Sequence, residues 1–229
     1  MVTPGYFDMR PFVGHFRFPT SMAGLSVVDV GTSNGQFAFH FERLGADRVI
    51  AVDLAHVLDH DFPDWYRREL QQRYSAAELA RIDEEELEAG FSLAHEVFAS
   101  KVEKRRCTVY ELGDLMQGQF DVAYCSNLVQ HLRDPVRALE SIRRSLKPSG
   151  QFVFGCSCEL SVENVSYAIF EGRIDPHITY WVPSREAAQR LCQMAGFVDV
   201  QWVGAFRFAP VPHPERVGTL AVLHARNRP

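Results

Sequence analysis

The sequence predicts an α/β protein whose chain forms one domain around a Rossmann-like, doubly wound sheet. Two observations support this fold class. Residues 25–53 give an apolar strand, a glycine turn, a helix-length segment and a second apolar strand. The alternation of apolar runs and helix-length segments then continues after residue 105, with one interruption at residues 158–182. We therefore expect a seven-stranded, mostly parallel sheet with an antiparallel last strand and helices on both faces.

The first unit, LSVVDVGTSNGQFAFHFERLGADRVIAVD at residues 25–53, contains the strongest motif of the chain. Its β-branched run at residues 27–30 is typical of a buried parallel strand, and a glycine turn interrupts that run before the helical segment. The second strand ends in Asp53, which stands 22 residues after Gly31. This spacing suits a nucleoside cofactor whose ribose hydroxyls bind the carboxylate.

The later elements follow from apolar runs and from capping signals. Asp134 followed by Pro135 indicates an N-cap with proline at the first helical position, and Gly196 indicates a helix C-terminus. The predicted elements are a third strand and its exit at 106–112, a fourth strand at 120–126, a helix at 136–146, a fifth strand at 151–157, a helix at 184–196, and two last strands at 197–203 and 217–225.

The chain of 229 residues is 46% hydrophobic, which suits one domain with a sizeable core at residues 1–229. Three segments stand outside the sheet pattern. They are an aromatic and basic arm at 1–24, a helical insertion at 54–104, and a cap segment at 158–182 that is rich in polar and aromatic side chains. The rings of the arm are expected either to pack on the flank of the domain or to form a lid over a ligand.

Composition excludes several classes of protein. No run approaches the ~20 apolar residues of a membrane-spanning helix, and the start MVTPGYFDMR has acid and proline where a signal peptide has an apolar core. The odd number of cysteines, five, fits a reducing compartment, so we expect a cytoplasmic protein without membrane partners. Cys156 and Cys158 form C-x-C, but no second pair has metal spacing. We interpret them as strand thiols and predict no metal site.

The turn at residues 31–35 distinguishes between two kinds of nucleoside cofactor. A dinucleotide fingerprint needs glycines at 31, 33 and 36, and the chain has Ser33 and Gln36 at two of these positions. Asp29 beside the turn suits an ammonium group and would repel a pyrophosphate. Asp29, Gly31 and Gly35 match the pattern D/E-x-G-x-G-x-G, so the chain resembles the class I S-adenosylmethionine (SAM) methyltransferases. A Rossmann-like unit without a cofactor is the alternative.

Two further stretches resemble methyltransferases. FDVAYCSNLVQHLRDPVRALESIRRSLKPSG resembles the segment of these enzymes from the fourth strand to the fifth. ITYWVPSREAAQRLCQMAGFVDV is similar to the closing segment of the tRNA wobble-uridine oxyacetic-acid methyl and carboxymethyl transferases. The resemblance covers about residues 25–205, does not include that family's large N-terminal extension, and has Gln130 where the family has tyrosine. It therefore implies a small-molecule relative, not a tRNA-modifying enzyme or one with a carboxylated cofactor.

The resemblance implies a cofactor site for SAM at the carboxyl ends of the strands. In it Asp53 accepts hydrogen bonds from the ribose hydroxyls, Leu54 packs on adenine, and residues 108–110 contact the edge of adenine. The implied cofactor-binding residues are Asp29, Gly31, Thr32, Ser33, Gly35, Asp53, Leu54, Thr108, Val109, Tyr110, Ser126 and Asn127.

His131 is the candidate catalytic base, because it follows the fourth strand closely and an imidazole accepts protons readily near neutral pH. The alternative is a histidine that orders the loop before the next helix. The acceptor site is expected to come from the arm and the cap segment, although core packing explains many of these rings equally well. The candidate substrate-binding residues are Phe16, Arg17, Gln130, Tyr167, Arg173, His177, Tyr180 and Trp181.

The favoured function is methyl transfer from SAM to a small-molecule acceptor in the biosynthesis of a specialised metabolite. The net charge of −5 gives no broad attraction to a phosphate backbone, so a nucleic-acid partner is not expected. The sequence is compatible with a homodimer, and it is compatible with oxygen, nitrogen or carbon as the methylated atom. The alternatives are a tRNA-modifying methyltransferase, a nicotinamide-dependent oxidoreductase, and a regulatory protein that binds SAM without turnover.

Overall fold

A computed structural model describes residues 6–174 and 178–229. Its strands in the described residues are β1 Ser26–Val30, β2 Arg48–Asp53, β3 Glu103–Arg106, β4 Phe120–Ser126, β5 Leu146–Ser157, β6 Ala168–Arg173, β7 Thr179–Pro183, β8 Val198–Phe208 and β9 Gly218–Arg226. Seven of them form one sheet in the order β3-β2-β1-β4-β5-β9-β8, and β6 and β7 form a separate antiparallel hairpin.

The direction of each strand agrees with a doubly wound sheet. β1 to β5 run parallel, β9 is antiparallel to β5, and β8 is antiparallel to β9. The predicted Rossmann-like sheet with seven strands and an antiparallel last strand is therefore confirmed. The α-helices are α1 Gln36–Arg43, α2 Asp64–Arg73, α3 Ala76–Asp83, α4 Ala89–Phe98, α5 Leu112–Leu115, α6 Pro135–Ser145 and α7 Arg185–Met194. Within the described ranges, 3-10 turns lie at Arg10–Phe16, Val57–Asp59 and Val129–His131, and a π-helical turn lies at Glu84–Glu88.

Both faces of the sheet are covered, as a parallel sheet requires. Alternate residues of β1 point to opposite faces, with Val28 and Val30 on one side and Val27 on the other. The first face packs against α5, α6 and α7. The second face packs against α1, α4 and the N-terminal arm. The core therefore has two layers of side chains with the sheet between them.

The third strand differs from its predicted position. It covers Glu103–Arg106, whereas the sequence pattern suggested residues 106–112 for the strand and its exit. The chain turns out of the sheet after Arg106, because the Glu111 carboxylate accepts hydrogen bonds from both Thr108 N (2.9 Å) and Thr108 Oγ1 (2.8 Å). This local cap leads directly into α5. β5 and β8 are longer than predicted, and the hairpin of β6 and β7 was not predicted at all.

The described part of the arm packs on the flank of the domain. Phe16 is fully buried, and its ring lies against Phe37 of α1, Tyr124 of β4 and Phe206 of β8. Its backbone carbonyl accepts a hydrogen bond from His224 Nε2 at 2.8 Å. The rings of this segment thus complete the second core layer.

Candidate active site

The glycine turn after β1 is built from alternating left-handed residues. Gly31 (φ 76°), Ser33 (φ 50°) and Gly35 (φ 80°) all have positive φ. Ser33 therefore adopts the left-handed conformation at the position where the family pattern has a glycine. The nitrogen of Gly31 donates to the carbonyl of Val52 at 2.9 Å, which fixes the turn to the end of β2. At Gly35 an added Cβ would meet the ring of Phe39 at 2.5 Å, so only glycine fits there.

Asp53 connects the two halves of this motif. Its Oδ2 accepts from Ser33 N at 2.6 Å, and its Oδ1 accepts from Leu54 N at 2.9 Å. Because a carboxylate has about four lone-pair sites, two acceptor positions stay available for a ligand. Asp53 lies at the carboxyl end of β2 and is half-buried. Asp53 therefore holds the turn in place, and its carboxylate also offers hydrogen-bond acceptor positions beside the turn.

Asp29 lies beneath the turn and is only 2% exposed. Its Oδ2 accepts from Thr32 Oγ1 at 2.7 Å and from Ala38 N at 3.0 Å, which joins the turn to the start of α1. Burial raises the pKa of Asp29 to about 7, against the lowering effect of these two hydrogen bonds. The observed role of Asp29 is to hold the turn, and its predicted contact with a ligand ammonium stays a prediction.

The exits of β3 and β4 lie beside the turn. At the β3 exit, Val109 is buried, Thr108 and Tyr110 are half-buried, and the Tyr110 hydroxyl donates to Asp61 Oδ2 at 2.7 Å. A Cβ at Gly31 would lie 3.5 Å from the Leu128 side chain, which is an ordinary van der Waals distance, so the turn lies next to the β4 exit.

Ser126 and Asn127 end β4. The Ser126 hydroxyl is fully buried and interacts with the buried Tyr124 hydroxyl. A Cβ at Gly155 would lie 2.3 Å from this oxygen and 3.3 Å from the ring of Phe16, so glycine is required in β5. Asn127 adopts a left-handed backbone (φ 55°), which turns the chain sharply out of the strand. The predicted residues Phe16 and Ser126 are thus close together, but Phe16 has no exposed surface.

His131 lies in the 3-10 turn after β4. Its Nδ1 lies within hydrogen-bond distance of the carbonyl oxygen of Ile178, and a carbonyl only accepts, so Nδ1 carries the proton. Nε2 is therefore the ring nitrogen at which a proton can be accepted, and the amide nitrogen of Gln130 lies 3.3 Å from it. The same amide nitrogen lies 3.2 Å from Asn127 Oδ1. This arrangement gives the imidazole the tautomer that a general base needs.

An apolar cavity of about 340 Å³ lies between this turn, the hairpin and α7. Among its walls are Gln130, Cys156, Trp181 and Leu191. The amide oxygen of Gln130 and the indole nitrogen of Trp181 are both buried without a partner in the described part of the chain. Two of the predicted substrate-binding residues therefore line one cavity.

Asp61 is a functional candidate that sequence analysis missed. Its carboxylate accepts from Tyr110 Oη, from Arg133 N and from Arg133 Nε, each at 2.7 Å, and its carbonyl accepts from Tyr180 Oη at 2.7 Å. Burial raises its pKa, but the hydrogen bonds from Arg133 and Tyr110 outweigh burial, so the pKa of Asp61 is lowered. Asp61 thus ties together the β3 exit, the loop after β4 and the hairpin. No local pattern predicts it, since its partners are 49 to 119 residues away.

The other predicted acceptor residues are dispersed. Arg17 is exposed and lies with His40 in a separate depression between the arm and the later turns of α1. Because α1 runs antiparallel to the strands, this depression lies away from the glycine turn. Arg173 is exposed and pairs with Glu171 at 3.0 Å, and Tyr167 is held through backbone hydrogen bonds to Ser184. His177 lies outside the described residues.

The residues at these strand ends fit SAM. Asp53 has acceptor positions available for ribose hydroxyls, and the positive-φ turn lies beside it at the ends of β1 and β2. Ligands of doubly wound sheets bind outside the carboxyl ends of the strands, where all these groups lie. Fold and site together define a class I methyltransferase of the SAM-dependent kind.

A family model described as a methyltransferase domain matches residues 8–201, and the chain belongs to this family. It is 27% identical over 135 residues to a ubiquinone biosynthesis O-methyltransferase of Methylococcus capsulatus, a match that covers 59% of this chain and 44% of that protein. The chain thus spans less than half of the length of the curated relatives it matches. The narrower resemblance to tRNA wobble-uridine enzymes has no counterpart among these relatives.

Solved structures show the same fold. A 1,6-didemethyltoxoflavin-N1-methyltransferase of Burkholderia thailandensis, with bound 1,6-didemethyltoxoflavin and S-adenosylhomocysteine, superimposes with a TM-score of 0.58 at 20% identity. The match covers 96% of this chain and 78% of that one. A SAM-dependent methyltransferase of Mesorhizobium loti gives a TM-score of 0.60 at 16% identity, with 95% and 97% covered. At these identities the likeness establishes the fold alone.

Proposed function

We propose that this protein transfers the methyl group of SAM to a small-molecule acceptor in the biosynthesis of a specialised metabolite. One observation carries the proposal. Asp53 and the positive-φ turn lie at the carboxyl ends of β1 and β2, and the His131 imidazole lies just past the end of β4, in the tautomer of a base. A cofactor position and a proton acceptor thus share one edge of the sheet.

In cofactor binding, the protein's residues hold SAM and orient it. SAM, when bound, supplies an electrophilic methyl group. The free acceptor positions of Asp53 suit the two ribose hydroxyls, and Leu54 and residues 108–110 are the proposed contacts of adenine. The turn and the residues Ser126 and Asn127 are the proposed contacts on the methionine side.

His131 is the proposed general base. Its Nδ1–H is held by the Ile178 carbonyl, so the ring keeps its orientation while Nε2 accepts a proton. An acceptor hydroxyl or amine that displaces the Gln130 amide from Nε2 gives its proton to that nitrogen. Bound SAM would supply the methyl group for this heteroatom and would leave as S-adenosylhomocysteine, while His131 would hold the proton.

A small acceptor is preferred over a nucleic acid for two reasons. The net charge of −5 disfavours a phosphate backbone, and the cavity next to Gln130 is apolar. The similarity of residues 178–200 to wobble-uridine enzymes supports a distant relationship with a different acceptor.

The location and the oligomeric state are separate proposals. The five cysteines are all free thiols, which supports the proposed cytoplasmic location. We also propose that the protein forms a homodimer. Separately, no described helix is long and apolar enough to cross a bilayer.

The test is a thermal-shift comparison of S-adenosylhomocysteine, NAD and NADP. We expect S-adenosylhomocysteine to raise the melting temperature of the protein and the two dinucleotides to leave it unchanged. Asp53→Ala removes the acceptor of two ribose hydrogen bonds, so its Kd for S-adenosylhomocysteine should rise at least ~tenfold by calorimetry. Stabilisation by a dinucleotide alone would overturn the proposal. Binding without methyl transfer to any acceptor in a cell extract would indicate the regulatory alternative.

A further inference from the structure

The glycine turn has a further support that comes from a distant segment of the chain. α4 lies against residues 34 and 35 of the turn, and the two backbones approach closely. A Cβ added at Gly90 of α4 would lie 2.1 Å from Asn34 Oδ1, and a Cβ added at Gly35 would lie 2.7 Å from the ring of Phe91. Two consecutive residues of α4 thus contact two consecutive residues of the turn.

α4 is itself held in place by the neighbouring elements. Glu88, directly before α4, forms ion pairs with Lys104 (3.0 Å) and Arg106 (2.9 Å) of β3. In the helix, Phe91 is buried and lies against Phe39 of α1 with ring centroids 5.1 Å apart. A close-packed site does not absorb an extra methyl group without a shift of its neighbours. Because α4 is held in this way, a methyl group added at residue 90 would displace the turn and not the helix.

A displacement of Asn34 would reach the proposed ribose acceptor through one residue. The preceding residue, Ser33, donates from its backbone nitrogen to Asp53 Oδ2 at 2.6 Å. This hydrogen bond orients the carboxylate whose other acceptor positions are the proposed contacts of the ribose hydroxyls. The contact between Gly90 and Asn34 is therefore only one residue away from the geometry of the cofactor site.

We propose that Gly90 is a positioning residue of the SAM site. Its missing side chain lets Asn34 lie against α4, and this contact sets where Ser33 meets Asp53. The inference rests on the proposed methyltransferase function, and it makes the helical insertion a part of the cofactor site. The π-helical turn Glu84–Glu88 directly precedes α4, and turns of this kind are frequent at functional sites.

The test is Gly90→Ala, with the Kd for S-adenosylhomocysteine measured by calorimetry and the melting temperature measured without ligand. Alanine has the higher helix propensity, so a glycine that serves only the helix would give an unchanged Kd and an equal or higher melting temperature. We expect the Kd to rise about tenfold, the equivalent of one hydrogen bond to a charged group, while the protein without ligand stays folded. An unchanged Kd would show that Asn34 rotates away from the added methyl group, and it would overturn the inference.

Two companion variants locate the effect. Gly14→Ala is the matched control and should leave the Kd unchanged, because a Cβ there would meet nothing within 4 Å among the described residues. In the Asn34→Ala background the amide that the added methyl group would meet is absent. Gly90→Ala should therefore change the Kd by less than about twofold in that background. If the loss of affinity persists there, it does not depend on Asn34, and the inference is wrong.

The amide resonance of Ser33 gives a second readout, which needs no ligand and separates the two proposals. Because this N–H donates to the Asp53 carboxylate, Gly90→Ala should shift its resonance in the NMR spectrum of the protein without ligand, and Gly14→Ala should leave it in place. An unshifted resonance in Gly90→Ala refutes the positioning role alone. Failure of S-adenosylhomocysteine to bind the unaltered protein refutes the proposed function instead.

Discussion

The two sides of the candidate active site are built in different ways. The cofactor side is local, because the turn at residues 31–35 is fixed by Asp29 and Asp53 within one strand–helix–strand unit. The acceptor side joins segments that are far apart in sequence. There the Asp61 carboxylate accepts from Arg133, 72 residues away, and the Asp61 carbonyl accepts from Tyr180, 119 residues away. Changes on the cofactor side should therefore alter the turn and ligand binding, and changes on the acceptor side should alter turnover.

The largest effect is expected from His131→Asn. The amide nitrogen of asparagine replaces Nδ1 and keeps the donor to Ile178, but the variant has no group in the place of Nε2. We expect kcat to fall by ~10²–10⁴-fold, while the Kd for S-adenosylhomocysteine stays within a few fold. His131→Ala, which also loses the donor, is the companion variant. If the Asn variant is active, His131 orders the loop and is not the base. If affinity for S-adenosylhomocysteine and turnover are lost together, the division of the site into two sides is wrong.

Asp29 tests the cofactor side through the pH dependence of stability. Its pKa in the folded protein is about 7 because of burial, well above the ordinary value, so the folded state binds the extra proton between about pH 4 and 7. The free energy of unfolding should therefore fall as pH rises through this window, by on the order of 4 kcal/mol. Asp29→Asn keeps an acceptor for Thr32 and Ala38, and its stability should be nearly independent of pH there. Urea unfolding at each pH measures the difference.

Asp121 provides the control of opposite sign. Burial raises its pKa, but the hydrogen bonds from Lys147 and Ser26 outweigh burial and lower it to about 2. Its contribution to stability is therefore present above about pH 4 and is lost as pH falls toward 2. Asp121→Asn should lose stability at neutral pH and show a flatter acid limb. The same slope in both variants would contradict the assignment of the pH 4–7 window to Asp29.

Asp61→Ala sharpens the comparison on the acceptor side. It removes hydrogen bonds from Tyr110 and Arg133 to a carboxylate whose side chain is 11% exposed. We expect the free energy of unfolding to fall by about 2–3 kcal/mol and turnover to fall with it, because the loop that follows His131 loses its hydrogen bonds from Arg133 to Asp61. The exposed pair of Asp64 and Arg67 gives a matched control, and Asp64→Ala should change stability by less than about 1 kcal/mol. Because Tyr110 is also a proposed adenine contact, the Kd for S-adenosylhomocysteine should rise by no more than a few fold, and a rise as large as that expected for Asp53→Ala would show that the two sides are not separate.

The fold around the glycine turn and the helix starts could be predicted from sequence because their contacts are short in range. The spacing of Gly31 and Asp53, the cap at Asp134 and the cap at Ser184 are all local patterns, and the structure contains each of them. The hairpin could not be predicted, since all residues of β6 are exposed and their sequence AIFEGR does not alternate. Asp61 could not be predicted either, because its partners come together only in the folded chain.

The docking of the arm has a consequence for the synthesis of the chain. The Phe16 ring packs on β8, and the Phe16 carbonyl accepts a hydrogen bond from His224, which lies 208 residues later in the chain. At ~5–20 residues per second, a ribosome makes the second partner roughly 10–40 s after the first. During that interval the rings of the arm have no β8 to cover them. The second core layer is therefore completed only when β8 and β9 have been translated, and until then the aromatic segment lacks part of its packing partners.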